Sequence, residues 1–308
     1  MRILTTWQGL EADDRGASVA MGNFDGLHLG HQSVIAEAAT AGAPLGVVTF
    51  EPHPREVFAP DAPPFRLMNR AARAHRLRKL GVDRLYELPF TRELSAMTPE
   101  AFVDAVLVAG LGVSHVVVGA DFHFGKGRAG AAADLQAFGA AKGFGVTVAK
   151  LIEAEGEEIS STAIRAALSD GRPRDAARML GHWHRIEGRV LHGEKRGRGL
   201  GFPTANISVD GLHLPRFGVY AVKADVLTGP HAGSYGGAAS LGVRPMFDGT
   251  VPNLETFLFD FDGDLYGAEL SVALVDYLRP EMSFDGLDGL IAQLNTDCAR
   301  ARAILTAL

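Results

Sequence analysis

Val19-Ala20-Met21-Gly22-Asn23-Phe24-Asp25-Gly26-Leu27-His28-Leu29-Gly30-His31 is the stretch that decides how the first half of this chain folds. A short apolar run enters a glycine-bearing loop and leaves it in a stretch of helix formers, His31 to Thr40, so the segment reads as strand, tight loop, helix. The two histidines stand three apart with Gly30 between them. They can therefore project from one side of a helix entrance, where the backbone can pass close to a phosphate. Taken alone, the pair fits a surface pair, two ligands of a metal, or donors for charge building on phosphate oxygens.

Outward from this segment the pattern repeats. Val19 to Met21, Leu45 to Phe50, Asp83 to Leu88, His115 to Val118 and Val146 to Leu151 read as strands. His31 to Thr40, Asn69 to Leu80, Pro99 to Leu111 and Ala131 to Lys142 read as the helices between them. Such alternation predicts a parallel sheet with helices on both faces, and in that architecture ligands sit beyond the carboxyl ends of the strands. Two short helices follow, Ser161 to Leu168 and Pro173 to Leu180.

Beyond His184 the texture changes to six strand-like runs parted by Gly, Pro and Asp turns: Arg185 to Leu191, Phe202 to Ile207, Val219 to Leu227, Tyr235 to Leu241, Leu254 to Phe261 and Leu265 to Leu278. This predicts a small antiparallel barrel. Asp285 to Leu308 reads as a terminal helix, with Ser283 or Asp285 as its cap. The expected domains are residues 1–183 and 184–308.

Composition narrows the classes. The chain has 308 residues, 47% of them hydrophobic, and a formal net charge of -6, which argues against a protein that coats nucleic acid. Its one cysteine, Cys298, rules out an intramolecular disulfide and a cysteine metal cage, which suits a reducing cytoplasmic setting. No signal peptide or long uncharged apolar run is apparent, so neither export nor membrane insertion is expected. Gly125-Lys126 is no P-loop, since five residues rather than four separate it from Gly119 and Gly127 follows the lysine.

The second chemistry-bearing stretch is Gly193-Glu194-Lys195-Arg196-Gly197-Arg198-Gly199-Leu200-Gly201-Phe202-Pro203-Thr204-Ala205-Asn206. A loop with glycines such as Gly197 and Gly199 among three cations can fold its N–H groups around a polyphosphate, and Thr204 and Asn206 offer hard oxygens to Mg²⁺. A solvated basic loop fits the same residues.

The first stretch resembles the His-x-Gly-His signature of nucleotidylyltransferases, and more closely the adenylyltransferase half of the bifunctional riboflavin kinase/FAD synthetase family. Thr49-Phe50-Glu51-Pro52-His53-Pro54, Gly119-Ala120-Asp121-Phe122-His123-Phe124-Gly125 and Ile159-Ser160-Ser161-Thr162-Ala163-Ile164-Arg165 extend the resemblance. Pro-Thr-Ala-Asn after the glycine loop, Asn253-Leu254-Glu255-Thr256-Phe257 and Leu278-Arg279-Pro280-Glu281 resemble its kinase half. Ser240-Leu241-Gly242-Val243-Arg244-Pro245-Met246-Phe247 departs from the commonest family wording.

The resemblance implies a Rossmann-like nucleotidylyltransferase domain followed by a riboflavin kinase barrel. It implies that His28, His31, Arg165 and Glu255 are catalytic, Glu255 as general base for the ribityl hydroxyl. Gly22, Asn23, Phe24, Asp25, Gly30, Pro52, His53, Asp121 and Phe122 are expected at the flavin and nucleotide pocket, with Ser161 and Thr162 on ATP phosphates. Gly197, Gly199 and Arg279 are expected to bind ligands of the kinase, and Thr204 and Asn206 to hold Mg²⁺. Riboflavin, FMN, FAD, ATP, ADP and pyrophosphate are then the partners, with ATP as co-substrate, and self-association stays open. The competing readings are one silent half, or a flavin-binding regulator without turnover.

Overall fold

The protein is described here by a computed structural model covering residues 1–39, 42–150, 153–154, 157–191, 201–246 and 249–308. The chain packs as two compact units, one of Met1–Pro63 with Arg73–Ile159, the other of Pro64–Ala72 with Ser160–Leu308. This division does not follow the change of texture near residue 184, because Pro64–Ala72 and the two helices after Ser160 pack within the second unit.

In the first unit, strands β1 (Arg2–Leu4), β2 (Ser18–Met21), β3 (Leu45–Glu51), β4 (Arg84–Pro89) and β5 (His115–Gly119) join a later strand, β8 (Gly145–Ala149), in one sheet. Their order is β1-β4-β3-β2-β5-β8, and every pairing is parallel. Short pairs β6 (His123–Phe124) with β7 (Gly130–Ala131), and β9 (Glu153–Ala154) with β10 (Glu157–Glu158), lie outside it. The helices are α1 (Leu29–Ala38), α2 (Pro54–Phe58), α3 (Arg70–Lys79), α4 (Arg92–Ser95), α5 (Pro99–Phe102), which runs on as a π-helical stretch to Leu111, and α6 (Ala132–Lys142).

The central strands read as near-continuous apolar runs because both faces are covered. Val19, Met21, Val48, Leu88, Val116 and Val118 meet Val106, Leu107, Leu111 and Leu135 from the helical segments in one core. The chain runs outward from β2 to β3 and β4, then returns past β2 to form β5. The crevice between the carboxyl ends of β2 and β5 is thus the topological switch point where such sheets bind ligands.

In the second unit, α7 (Ser161–Ser169) and α8 (Pro173–Leu180) bury Ile164, Ala167, Leu168, Ala176 and Leu180 against Leu67. Ser160 caps α7 through its Oγ, which accepts from the Ala163 N–H at 3.2 Å, and Pro173 opens α8. Strands β11 (Arg185–Arg189), β12 (Thr204–Ser208), β13 (Gly218–Val226), β14 (Gly233–Met246), β15 (Gly249–Leu258) and β16 (Glu269–Arg279) form an antiparallel sheet ordered β11-β16-β13-β14-β15-β12. The edges approach through a bridge in which the Leu191 N–H donates to the Asn206 carbonyl at 2.8 Å, bringing the sheet near closure as a barrel. Ile186, Ile207, Tyr220, Val222, Leu254, Leu258, Val272 and Leu274 fill its interior.

Helix α9 (Leu287–Thr306) covers part of the outer face, where Val219, Ala221, Ala238, Phe259 and Leu278 meet Ala301, with Cys298, Ile304 and Leu305 packed alongside. The expected caps of this helix, Ser283 and Asp285, are not used. Gly286 stands at the N-cap with φ 137 and no side-chain cap bond, a backbone conformation that moves the start past both polar residues.

Candidate functional sites

His28 is the N-cap of α1, and its Nδ1 accepts from the His31 N–H at 3.3 Å. That bond leaves the proton of the neutral ring on Nε2, so the ring keeps a donor on its far side. The His31 ring stacks on it with centroids 3.6 Å apart, and Phe24 meets His31 edge-on at 5.3 Å. Gly30 fits this close packing, since a Cβ there would lie 3.2 Å from His28 Cε1 and Nδ1.

Burial lowers the His28 pKa to about 4 against a raising influence from Asp121, while burial and the neighbouring His28 hold His31 well below the ordinary histidine range. At neutral pH both rings are neutral. They offer neutral imidazoles and not fixed cations.

The loops after β2 and β5 supply this site, with Asp121 close enough to influence His28. Phe24 and Asp25 are buried supports, and Thr49 Oγ1 donates to the Asn23 carbonyl at 3.2 Å, tying this loop to β3. Gly22 donates its N–H to the Val48 carbonyl at 3.1 Å. After β3, Pro52 leads into His53, the N-cap of α2. His53 Nδ1 accepts from the Arg55 N–H at 3.0 Å, and the Glu56 carboxylate accepts from the His53 N–H at 3.1 Å.

Sequence reasoning missed an aromatic chain in this unit. Phe122 stacks on Phe124, Phe124 touches Phe102, Phe102 touches Phe50, Phe50 meets Phe90, and Phe90 meets Phe58, with centroids between 5.7 and 6.4 Å apart. Phe58 is 69% exposed. The six phenylalanines share no spacing, so no sequence period announces them. Phe102 and Phe124 lie in the core, and the chain reaches the surface at Phe58.

Ser161, Thr162 and Arg165 lie on α7 in the second unit. Arg165 Nε donates to the Phe65 carbonyl at 2.7 Å and its guanidinium lies over the Phe65 ring. Ser161 is the first helical residue and Ser160 the cap.

On the barrel, strand register assembles a row that no linear motif contains. Asn206 of β12 stands opposite Glu255 of β15, Glu255 opposite Ser240 of β14, Ser240 opposite Val219 of β13, and Val219 opposite Arg279 of β16. Directly opposed residues share a face. Thr204 shares that face two positions from Asn206, away from the interior filled by Ala205 and Ile207. Asn206 Oδ1 accepts from Asn253 Nδ2 at 3.0 Å. Ser240 is an addition to the expected residues, its place beside Glu255 visible only once register is known.

Hydroxyl, amide and carboxylate oxygens on one face form a hard donor set that fits Mg²⁺, which takes few protein ligands when phosphates supply the rest. No group of three or more His, Cys, Asp or Glu suited to a metal occurs among the described residues.

Arg279 is held firmly. Its Nε and Nη2 reach the Asp297 carboxylate of α9 at 2.8 to 3.1 Å, and its guanidinium faces the Phe284 ring at 5.9 Å. Asp297 also accepts from Gln293 Nε2 at 2.9 Å. The Glu281 carboxylate lies so close to Gly242 that any Cβ at that position would collide with it. Gly197 and Gly199, with the rest of the loop at 192–200, and Phe247 of the departing segment lie outside the described residues. No helix among those described is long and apolar enough to cross a membrane.

Comparison with known proteins gives the family. The FAD synthetase family model matches residues 10–163, and the riboflavin kinase family model matches residues 180–305. A bifunctional riboflavin kinase/FMN adenylyltransferase of Pseudomonas fluorescens is 42% identical over 99% of this chain and 98% of its own. The protein of that name from Escherichia coli strain K12 is 38% identical over 95% of this chain and 94% of its own. A crystal structure of a Streptococcus pneumoniae protein described as a macrolide-efflux protein aligns over 96% of both chains, with a TM-score of 0.81 and 31% identity. Matched in both halves and along nearly its whole length, the chain belongs to the bifunctional riboflavin kinase/FMN adenylyltransferase family.

Proposed function

We propose that the two activities of this bifunctional enzyme are carried by separate constellations, the His28–His31 pair for FMN adenylylation and the Glu255 row for riboflavin phosphorylation. The observation that carries this reading is that the His28–His31 pair and the Glu255 row lie in different packed units.

In the kinase reaction the ribityl hydroxyl of riboflavin attacks the γ-phosphorus of ATP, giving FMN and ADP. Glu255 takes the hydroxyl proton, and its neighbours Ser240 and Asn206 fix where that hydroxyl stands. Thr204 and Asn206 would hold Mg²⁺, which when bound neutralises charge on the transferring phosphate. The 279–284 segment, anchored by Arg279 on Asp297, borders the flavin.

In the adenylyl transfer the FMN phosphate oxygen attacks the α-phosphorus of a second ATP, and pyrophosphate leaves. FMN brings its own nucleophile, so the protein has only to place the two phosphates and stabilise the charge that builds between them. The Nε2–H of His28 and the His31 ring act as donors to the ATP phosphates at the α1 entrance, where the helix N-terminus adds its own N–H groups. Ser161, Thr162 and Arg165 keep the phosphate-binding role that the family motif implies for them. The aromatic chain ending at Phe58, with Pro52, His53, Asp121 and Phe122, receives the isoalloxazine. We place the enzyme in the cytoplasm, with no nucleic-acid partner.

The test is to incubate purified protein with riboflavin, ATP and Mg²⁺, separate the flavins by chromatography over time, and run a parallel reaction from FMN. FMN followed by FAD in the first, and FAD in the second, is the expected result. FMN without FAD in either reaction would leave a kinase with a silent half, and no turnover would leave a flavin-binding protein.

A further inference from the structure

At the carboxyl ends of β3 and β4 lies a buried ionic bridge to which neither reaction assigns a task. On β3, Thr49 and Glu51 face one side of the sheet, and Glu87 of β4 stands opposite Thr49 on the same side. Arg73 of α3 reaches both acids with a single nitrogen: Nη2 lies 2.8 Å from Glu51 Oε2 and 2.7 Å from Glu87 Oε1. Arg73 is 4% exposed and Glu87 2%, whereas the Glu51 side chain keeps 23% of its surface.

We infer that Arg73 is a positioning residue for FMN: by holding Glu51 against Glu87 it sets where β3 ends, and so where the Pro52–His53 loop stands against the flavin. This rests on the reading of the first unit as the FMN adenylyltransferase.

Three observations support it. Glu51 is the last residue of β3 and directly precedes Pro52, so its side chain is anchored where the chain leaves the sheet. Past that point the loop is already stiff, because His53 and Glu56 cap α2 reciprocally. A displacement at Glu51 is therefore passed on to the loop and not absorbed within it. The same face also fastens the histidine loop, through Thr49 Oγ1 to the Asn23 carbonyl. Arg73 thus completes a polar layer beneath the sheet edge that fixes two ligand loops relative to each other. An arginine needed only to neutralise Glu87 could engage it with two nitrogens. Here one nitrogen serves carboxylates from two neighbouring strands.

The test compares Glu51→Ala, Arg73→Met, the double variant and Arg73→Lys in the full-length protein. It measures KM and kcat for FMN in FAD formation and, as an internal control, riboflavin phosphorylation by the same samples. Glu51→Ala leaves the Arg73–Glu87 contact in place. It is expected to raise KM for FMN about tenfold with a smaller change in kcat, as a misplaced loop weakens placement of the substrate.

Arg73→Met should raise KM similarly, and the double variant no further, since both single changes break the Arg73–Glu51 contact. Arg73→Lys, which keeps one nitrogen between the acids, should stay near the wild-type value. A merely structural role would lower the active fraction and leave KM unchanged. An unchanged KM for FMN in folded Glu51→Ala, or KM effects that multiply in the double variant, overturns the inference. If Arg73→Met does not fold, Glu51→Ala and Arg73→Lys decide. Absence of FAD formation by the wild-type protein would instead overturn the adenylyltransferase reading itself.

Discussion

The imidazole of His28 lies nearly flat on that of His31, with the ring planes inclined by 17°, and its Nδ1 accepts the amide of the same residue it stacks on. One side chain thus starts the helix, props its neighbour and points a donor outward. These tasks separate by substitution. Asparagine is a strong N-cap, so His28→Asn should keep α1 and the melting temperature close to wild type. It should lower FAD formation from FMN by about 10² to 10³, the usual cost of one well-placed donor. Riboflavin phosphorylation by the same sample should be unaffected, and a parallel loss there would contradict the two-site assignment.

Glu255 gives the converse. Glu255→Gln removes the proton acceptor and keeps the shape of the side chain between Asn206 and Ser240, so FMN formation should fall by about 10² to 10⁴. FAD should still form from supplied FMN. Chromatography of flavins from the two starting compounds reads both outcomes.

Acid should weaken both units. His28, lowered to about 4, and His184, which burial lowers to about 3, bind protons more readily in the unfolded chain than in the folded one. Stability is therefore full above pH 6.5 and falls as pH drops toward the folded values. By pH 4 each buried ring removes about 3 kcal/mol. Thermal unfolding at a series of pH values between 7 and 4 should show this decline, and His28→Asn should flatten part of it. A decline of equal slope in that variant would remove His28 from the explanation.

The Arg279–Asp297 pair carries a fourth expectation. Both side chains are largely buried, so Asp297→Ala leaves a guanidinium without its carboxylate and should destabilise the second unit by about 3 to 5 kcal/mol. At a temperature where the variant remains folded, KM for riboflavin should rise while KM for FMN in adenylylation stays constant. Equal changes in both would show that the pair supports the fold alone.

The alternation of strand and helix before Ala149 and the run of strands after His184 were legible because each follows a hydrophobic period that a linear reading detects. The edge strand Arg2–Leu4 was not, since three residues are too few for a period and its partner, β4, lies far along the chain. His28, His31 and Glu255 stood out through local motifs. Ser240 did not, because register across the sheet, which places it beside Glu255, depends on turns and bulges. The phenylalanines from Phe50 to Phe124 come from strands, helices and loops, and only the packing gathers them. Pro64–Ala72 has nothing in its composition to distinguish it from the residues before it. Yet Asn69 Nδ2 donates to the Glu187 carbonyl at 2.7 Å and the His213 N–H donates to the Arg66 carbonyl at 2.8 Å, joining this segment to the barrel unit.

The solitary thiol gives the molecule a reporter of its own. Cys298 follows Asp297 on α9 and is tucked against the outer face of the barrel, where burial raises its pKa. It should react slowly with an alkylating reagent while α9 is seated and faster whenever the helix lifts. Every alkylation event is then traceable to one address, so the labelling rate, followed with and without riboflavin and ATP, becomes a clock for the breathing of the helix that anchors Arg279.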